Sequence, residues 1–180
     1  QYLVESELGT AAFSTAYRCI DLSSERDDVS TTPAVNGVIW NEKWSILMFF
    51  FNSFLLSPKS HEEVCLKVIK NTKDFFDQSL DEIKILELLE QTGKNQENHI
   101  LEMKCFFYYR EHLIIVTELL RQNLFEFGKF ILDNNEEPYF TISRLAYMTR
   151  QALISLRFVH SLGLVHSDVK PENILLGSYS

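Results

Sequence analysis

The sequence has few of the features that mark several common classes of protein. Its three cysteines lie far apart and form neither a CxxC motif nor a Cys/His metal pattern. We therefore expect reduced, buried thiols and an intracellular location, in the cytoplasm, the nucleus or both. Lys and Arg (17) are outnumbered by Asp and Glu (25), which gives a net charge of −8. This acidic balance argues against binding to nucleic acid or to a membrane surface.

Long hydrophobic runs and internal repeats are also missing. The longest apolar run, at 44–56, is shorter than the roughly 20 residues that a membrane-spanning helix needs. The first residues do not resemble a signal peptide, and because the sequence starts at Gln1 rather than Met, we expect it to begin inside a longer protein. With 180 residues, 46% of them hydrophobic, the chain can form a core of ordinary domain size.

The apolar pattern predicts five strands and three helices. The strands are expected at 2–10, 14–22, 63–70, 102–109 and 112–119, and the helices at 73–91, 124–132 and 142–161. Thr141 is a candidate N-cap and Gly163 a candidate stop for the last helix. The apolar face of that helix is predicted to consist of Leu145, Met148, Ala152, Leu156 and Val159. Strands followed by helices indicate an α+β fold with a mostly antiparallel sheet.

A compact polar cluster follows the last helix, in the segment HSDVKPEN at 166–173. Asp168 can accept a proton from an attacking hydroxyl, Lys170 can neutralise a transferring phosphoryl group, and Asn173 can offer an oxygen to Mg²⁺. This spacing is the H-x-D-x-x-x-x-N pattern of the protein-kinase catalytic loop. The alternative is a solvated loop that holds these charges by chance.

A lysine inside an apolar strand is a second candidate site residue. Lys67 lies in VCLK at 64–67, where its ammonium group is costly to bury unless it meets an anion. The alternative is a lysine on an edge strand that extends to water. Glu82 lies on the apolar face of the following helix and also needs a counter-charge, so a Lys67–Glu82 ion pair satisfies both residues.

A third and weaker signal is the turn between the first two strands. Residues 9–16 occupy the place of a kinase G-x-G-x-x-G-x-V motif, but only Gly9 keeps a marked glycine. Ala11, Ser14 and Ala16 stand at the other marked positions. Alanine and serine are small enough to let main-chain N–H groups approach a phosphate, although with less freedom in φ than glycine has.

The chain resembles a eukaryotic protein kinase, and within that family the plant-type members of the dual-specificity tyrosine-regulated (DYRK/Yak) branch. Three segments carry the resemblance in order and spacing: KNTKDFFDQSLDEIKIL at 70–86, FYYREHLIIVTELLRQNLFEF at 107–127 and LGLVHSDVKPENILLGSYS at 162–180. The resemblance implies a five-stranded antiparallel N-lobe with its αC helix over 1–119. It also implies the first part of a helical C-lobe over 120–180.

The resemblance also implies the ligands and their residues. ATP and Mg²⁺ are the implied cofactors, and proteins with Ser or Thr hydroxyls are the implied substrates. Asp168 would be the base, Lys170 the phosphate-neutralising group and Asn173 a metal ligand. Lys67, oriented by Glu82, would hold the α- and β-phosphates below Gly9. The implied adenine site consists of the hinge Glu118 to Leu120, the gatekeeper Thr117, and the side chains of Leu8, Cys65 and Leu175.

The chain departs from the kinase pattern in three places. Ser167 replaces the Arg that normally pairs with a phosphorylated activation loop, so we do not expect that mode of regulation. Residues 24–61 have no kinase counterpart and are either an insertion or a gene-model error. The sequence stops at Ser180, before the Asp-Phe-Gly-type motif and the activation loop.

Two functions therefore remain open at the level of sequence. The first is an ATP-dependent kinase for protein Ser and Thr, with autophosphorylation on Tyr. The second is a catalytically inactive kinase-like module that binds a nucleotide or a partner. Because the printed sequence lacks the Asp-Phe-Gly-type motif, we expect this chain alone to transfer phosphate poorly or not at all. The sequence does not indicate an oligomeric state.

Overall fold

The computed structural model describes residues 1–22, 62–134 and 136–177, so the predicted insertion at 24–61 lies outside the described residues. The elements follow the predicted order. They are β1 (Tyr2–Thr10), β2 (Ser14–Asp21), β3 (Glu63–Ile69), α1 (Lys73–Gln91), β4 (Met103–Tyr109), β5 (His112–Glu118), α2 (Leu124–Asp133) and α3 (Ile142–Ser161). Two short 3₁₀ helices lie at Gln96–Asn98 and Pro171–Asn173. The predicted α+β class is confirmed.

The five strands form one antiparallel sheet in the order β1-β2-β3-β5-β4. Because β3 is central, its residues face partners on both sides, and Lys67 lies opposite Ala16 on β2 and Ile115 on β5. The sheet curls, so the Tyr2 ring stacks on Phe107 of β4 at 5.8 Å between ring centroids. We call β1–β5 together with α1 the sheet region.

The turn between β4 and β5 consists of Arg110 and Glu111, as the sequence predicted. Both residues have positive φ, at 45° and 65°. Two positive φ angles in succession give the backbone twist that a two-residue hairpin needs. The turn thereby fixes the register in which Phe106 faces Ile115.

The helical region comprises α2, α3 and residues 162–177. Thr141 caps α3, its side-chain oxygen accepting a hydrogen bond from the Arg144 N–H. Gly163 follows the helix with φ at 76°, a conformation that glycine adopts without strain. None of the helices in the described part of the chain is long and apolar enough to cross a membrane.

The apolar face predicted for α3 is only partly buried. Val159 is fully buried, whereas Leu145 is 42% exposed. Ile85, Leu89 and Ile100 form a cluster with Val159 near the end of α3. Met148 packs only at the side of a second cluster, which contains Phe127 of α2. A helical repeat of apolar residues predicts a face, but it does not identify what covers that face.

Candidate active site

Lys67 and Glu82 form an ion pair between β3 and α1. The Lys67 ammonium Nζ donates to both Glu82 carboxylate oxygens, at 2.6 and 2.8 Å. Their side chains are only 14% and 19% exposed. Such partial burial is tolerated because each charge meets its counter-charge. The pair presents a fixed cation at the middle of the sheet, which is the charge that an anionic ligand would contact.

The loop between β1 and β2 lies close to this ion pair. The Phe13 ring centroid is 5.0 Å from Lys67 Nζ and 6.4 Å from the ring of Phe75 on α1. Gly9 does not have positive φ, and a Cβ at this position would meet open space. Gly9 is therefore not required by local sterics, and the contacts of Phe13 are a feature that sequence reasoning missed.

Lys70, which follows β3, also contacts the β1–β2 loop. Its Nζ donates to the carbonyl oxygens of Ala11 and Ala12, at 2.9 and 3.0 Å. Its main-chain N–H donates to the carbonyl oxygen of Phe13 at 3.0 Å. No sequence signal could have identified these contacts, because an exposed lysine usually only faces water and its partners here are 58 and 59 residues away.

Several residues of the implied adenine site lie on neighbouring strands. Cys65 faces Thr117 across the β3–β5 pair, so the two side chains share one face of the sheet. Burial raises the pKa of the Cys65 thiol, which keeps it protonated and unreactive near neutral pH. Leu8 on β1 is half exposed, so it is available to cover a ligand. Leu175 forms a bridge with Asn123 beside the segment that follows β5.

Glu118, the first residue of the predicted hinge, is held in place by Glu102 through two hydrogen bonds. The Glu118 N–H donates to the Glu102 carbonyl oxygen at 3.0 Å, and the Glu102 N–H donates to the Glu118 carboxylate at 2.9 Å. The Glu118 N–H is thus already used. If residues 118–120 contact an adenine base through their main chain, the contact must use the Glu118 carbonyl oxygen or the main-chain groups of residues 119 and 120.

The Glu118 carboxyl group titrates near neutrality. Burial is the main cause that raises its pKa to about 7; the nearby carboxylates of Glu102 and Glu90 act in the same direction, while the Glu102 N–H and Lys104 oppose the shift. The pKa of Glu90 is also raised by burial. Sequence reasoning did not anticipate this acidic cluster behind the hinge, since its members come from three separate elements.

The catalytic-loop residues lie between α3 and the 3₁₀ helix Pro171–Asn173. His166 is buried, and its ring Nδ1 accepts a hydrogen bond from the Asp168 N–H at 3.2 Å. Burial lowers the pKa of His166, so the ring stays neutral and can accept this bond. Residues 174 and 176 pair with the chain near 121–124, which fixes the end of the loop against the start of α2.

Asp168, Lys170 and Asn173 converge on one point. Lys170 Nζ lies 2.7 Å from Asp168 Oδ2. Asn173 is buried, and its Nδ2 donates to the Asp168 carbonyl oxygen at 2.8 Å and to Asp168 Oδ2 at 3.0 Å. The hydrogen bond from Lys170 holds the pKa of Asp168 below its usual range, with Asn173 acting in the same direction. Asp168 is therefore an ionised, oriented proton acceptor at neutral pH.

The donor set around Asp168 and Asn173 suits a hard cation such as Mg²⁺ only in part. Both residues offer oxygen atoms, the ligand type that Mg²⁺ prefers. Across residues 1–22, 62–134 and 136–177, no three His, Cys, Asp or Glu side chains group together as a metal site. The oxygen atoms of Asp168 and Asn173 therefore fit a hard cation as a partial set of ligands.

The structure thus brings the predicted residues together in three groups. Lys67 and Glu82 form the first, and Asp168, Lys170 and Asn173 form the second. The third consists of Cys65 and Thr117, which share one face of the sheet, and of residues 118–120 at the end of β5.

Comparison with known proteins gives the same family as the site. A family model described as the protein kinase domain matches residues 55–179. A crystal structure of a kinase domain superimposes with a TM-score of 0.69 at 22% sequence identity, covering 98% of this chain and 40% of that one. At this level of identity the match shows the fold alone.

Curated relatives come from the DYRK and Yak kinases. The probable serine/threonine-protein kinase dyrk2 of Dictyostelium discoideum is 41% identical over 120 residues, 67% of this chain and 13% of that protein. Dual specificity tyrosine-phosphorylation-regulated kinase 4 of Homo sapiens is 40% identical over 121 residues, 67% of this chain and 22% of that protein. The dual specificity protein kinase YAK1 homolog of Arabidopsis thaliana is 35% identical over 120 residues, 66% of this chain and 12% of that protein.

The chain spans between 12% and 22% of the length of these relatives. The resemblance to DYRK/Yak kinases that was inferred from three sequence segments is confirmed. Because the matched family model covers more than half of the sequence, the chain belongs to the protein kinase domain family.

Proposed function

We propose that this chain supplies the ATP-binding and proton-accepting part of a protein kinase. The kinase transfers the γ-phosphoryl group of ATP to Ser and Thr hydroxyls of proteins, and to its own Tyr. The observation that supports the proposal is that the chain contains both a fixed cation for the phosphates and an oriented proton acceptor. Lys67 is fixed by Glu82 on the sheet. Asp168 is held by Lys170 and Asn173 in the loop after α3.

In this function Lys67 holds the α- and β-phosphates. Its ammonium group is oriented by the two hydrogen bonds that it donates to the Glu82 carboxylate, so it is already positioned to contact a phosphate. Leu8, Cys65, Thr117 and the chain from Glu118 to Leu120 surround the adenine, with Leu175 on its other side.

Asp168 acts on the substrate hydroxyl. Its lowered pKa keeps the carboxylate ionised, so it accepts the hydroxyl proton as the oxygen attacks the phosphorus. Lys170 lies beside Asp168 and neutralises charge on the transferring group. Mg²⁺, when bound with the nucleotide through the Asn173 oxygen, supplies further neutralisation of phosphate charge. Asn173 itself orients Asp168 through its Nδ2.

The names of the relatives and the net charge of the chain both support the substrate class that we propose. The names of the human and Arabidopsis relatives include dual specificity, which supports transfer to Ser, Thr and Tyr. The chain carries a net charge of −8, so basic peptides would be attracted to it.

The test measures nucleotide binding and phosphate transfer separately on the 180-residue chain. Binding of Mg-ATP is followed by calorimetry, and transfer from radiolabelled ATP to a basic protein by autoradiography. Lys67→Met is expected to weaken binding, because the phosphates lose their fixed cation. Asp168→Asn is expected to keep binding and to reduce any transfer by about 10²- to 10⁴-fold, the usual value of a general base.

Lys73→Met and Asp77→Asn are matched controls, since both side chains are exposed on α1. Binding that is unaffected by Lys67→Met would contradict the assignment of the phosphate site. Transfer by the unsubstituted chain that requires both Lys67 and Asp168 would exclude the second candidate function, a module that holds nucleotide without catalysing.

A further inference from the structure

Lys70 holds three successive carbonyl groups of the β1–β2 loop. Its Nζ donates to Ala11 and Ala12, and its main-chain N–H donates to Phe13. The loop turn is closed separately by the Ala11 N–H, which donates to the Ser14 carbonyl oxygen at 2.8 Å. The Lys70 side chain, which lies outside the loop, therefore fixes the direction of the Ala11 and Ala12 carbonyl groups.

The direction of the carbonyls determines the direction of the amide hydrogens. The described chain contains no cis peptide bond, and in a trans peptide the N–H points opposite to the C=O. Because Lys70 draws the carbonyls of Ala11 and Ala12 towards itself, the N–H groups of Ala12 and Phe13 point away from it. Successive N–H groups pointing one way form a concavity that binds anions.

Glycine conformation does not impose this arrangement. Only Gly9 of the glycine pattern is present, and it does not use positive φ. The tip is fixed on its other side by Phe13, whose ring lies near Lys67 Nζ. The loop is thus held between Lys70 and the lysine assigned to the phosphates.

We infer that Lys70 is a positioning residue that presents the N–H groups of the β1–β2 loop to the phosphates of the nucleotide. This inference rests on the proposed function, since it assumes that the phosphates lie beneath the loop. Lys70 acts through the loop and does not need to contact the nucleotide itself.

The experiment compares Lys70→Met and Lys70→Arg in the full chain, with Lys73→Met as the matched control. Affinities for Mg-ATP and for adenosine are measured by calorimetry. Lys70→Met is expected to weaken Mg-ATP binding by roughly five- to tenfold, the effect of losing the hydrogen bonds of one charged donor at an exposed site. Adenosine affinity should stay unchanged, because adenosine has no phosphates, and Lys70→Arg should recover most of the loss.

Hydrogen exchange in the nucleotide-free chain separates positioning from simple charge. Lys70→Met should speed amide exchange at residues 10–14, and Lys73→Met should not. Weaker Mg-ATP binding without faster exchange would overturn the inference, because Lys70 would then act by charge alone. An equal loss for adenosine, or no loss for Mg-ATP, would also overturn it.

The outcomes also distinguish this inference from the proposed function. If the unsubstituted chain binds Mg-ATP through Lys67 and Lys70→Met binds equally well, the inference fails and the function stands. If the unsubstituted chain binds no nucleotide, the proposed function fails and the inference fails with it.

Discussion

The sheet region and the helical region hold their candidate site residues in different ways. Ile69 and Ile115 of the sheet region are 1% and 0% exposed, and they belong to the apolar cluster that joins the sheet to α1. The twenty-residue helix α3 fully buries only Ser155 and Val159. The Lys67–Glu82 pair, which we propose to hold the phosphates, is therefore set in a packed frame, whereas Asp168, the proposed proton acceptor, lies on a loop beside a thinly packed helix.

The same contrast appears in the side chains themselves. Lys67 and Glu82 are 14% and 19% exposed, but Asp168 and Lys170 are 37% and 44% exposed. A partly buried pair keeps its geometry because water competes little for it, while an exposed pair exchanges readily with solvent. The difference suits a fixed cation for phosphates and an acceptor that must release its partner when a substrate arrives.

The largest expected effect tests the packing difference directly. Ile115→Ala should lower the free energy of unfolding by about 3 kcal/mol, because it leaves a cavity at a fully buried position between the sheet and α1. Leu153→Ala on α3 should change it by less than about 0.5 kcal/mol, since Leu153 is 59% exposed. Urea unfolding followed by circular dichroism measures both.

A second expectation uses pH to separate the two regions. Glu118 has its pKa raised from 4.5 to about 7 in the folded chain. The folded state therefore binds the proton more tightly, so stability increases as pH falls from 7 towards 4.5. His166 has its pKa lowered from 6.5, so its contribution has the opposite sign and stability decreases as pH falls below that value.

Glu118→Gln isolates the contribution of the sheet region. The variant should be more stable than the unsubstituted chain at pH 8, by roughly 2 kcal/mol, because it no longer buries a charge. The advantage should disappear near pH 5, where Glu118 is already neutral. Urea titrations at both pH values measure the change, with the exposed Glu97→Gln as control. Equal gains at both pH values would show that the carboxylate charge is not the cause.

The secondary-structure elements could be predicted from local patterns in the sequence, whereas most contacts between residues far apart in the sequence could not. The bounds of α1 and α3 were predicted in full, because apolar repeats, Thr141 and Gly163 mark them within the helix itself. The contact of Lys67 with Glu82 could be predicted because two charges on apolar surfaces need each other. The contacts of Lys70 with Ala11 and Ala12 could not be predicted in this way, because the ammonium group of an exposed lysine is hydrated and does not need a partner in the protein.

Ser155 illustrates the same point at the contact between the two regions. Its Oγ, on α3, donates to the Asn98 carbonyl oxygen at 2.5 Å, and the side chain is 1% exposed. A serine within an apolar helix face has many structural explanations, and its partner lies 57 residues away. Only the fold shows that this hydroxyl connects the helical region to the 3₁₀ helix beside the sheet.

The smallest expected effect tests whether this contact couples the regions. Ser155→Ala should lower the free energy of unfolding by about 1 kcal/mol, because the carbonyl group of the half-buried Asn98 loses the Ser155 donor. Amide exchange should become faster both at 96–100 and at 152–159, since each side of the contact restrains the other. Ser161→Ala is the matched control, because Ser161 is exposed and its Oγ bonds within its own helix. Faster exchange confined to α3 would mean that the sheet region holds residues 96–100 by itself, and the two regions would then be independent at this point.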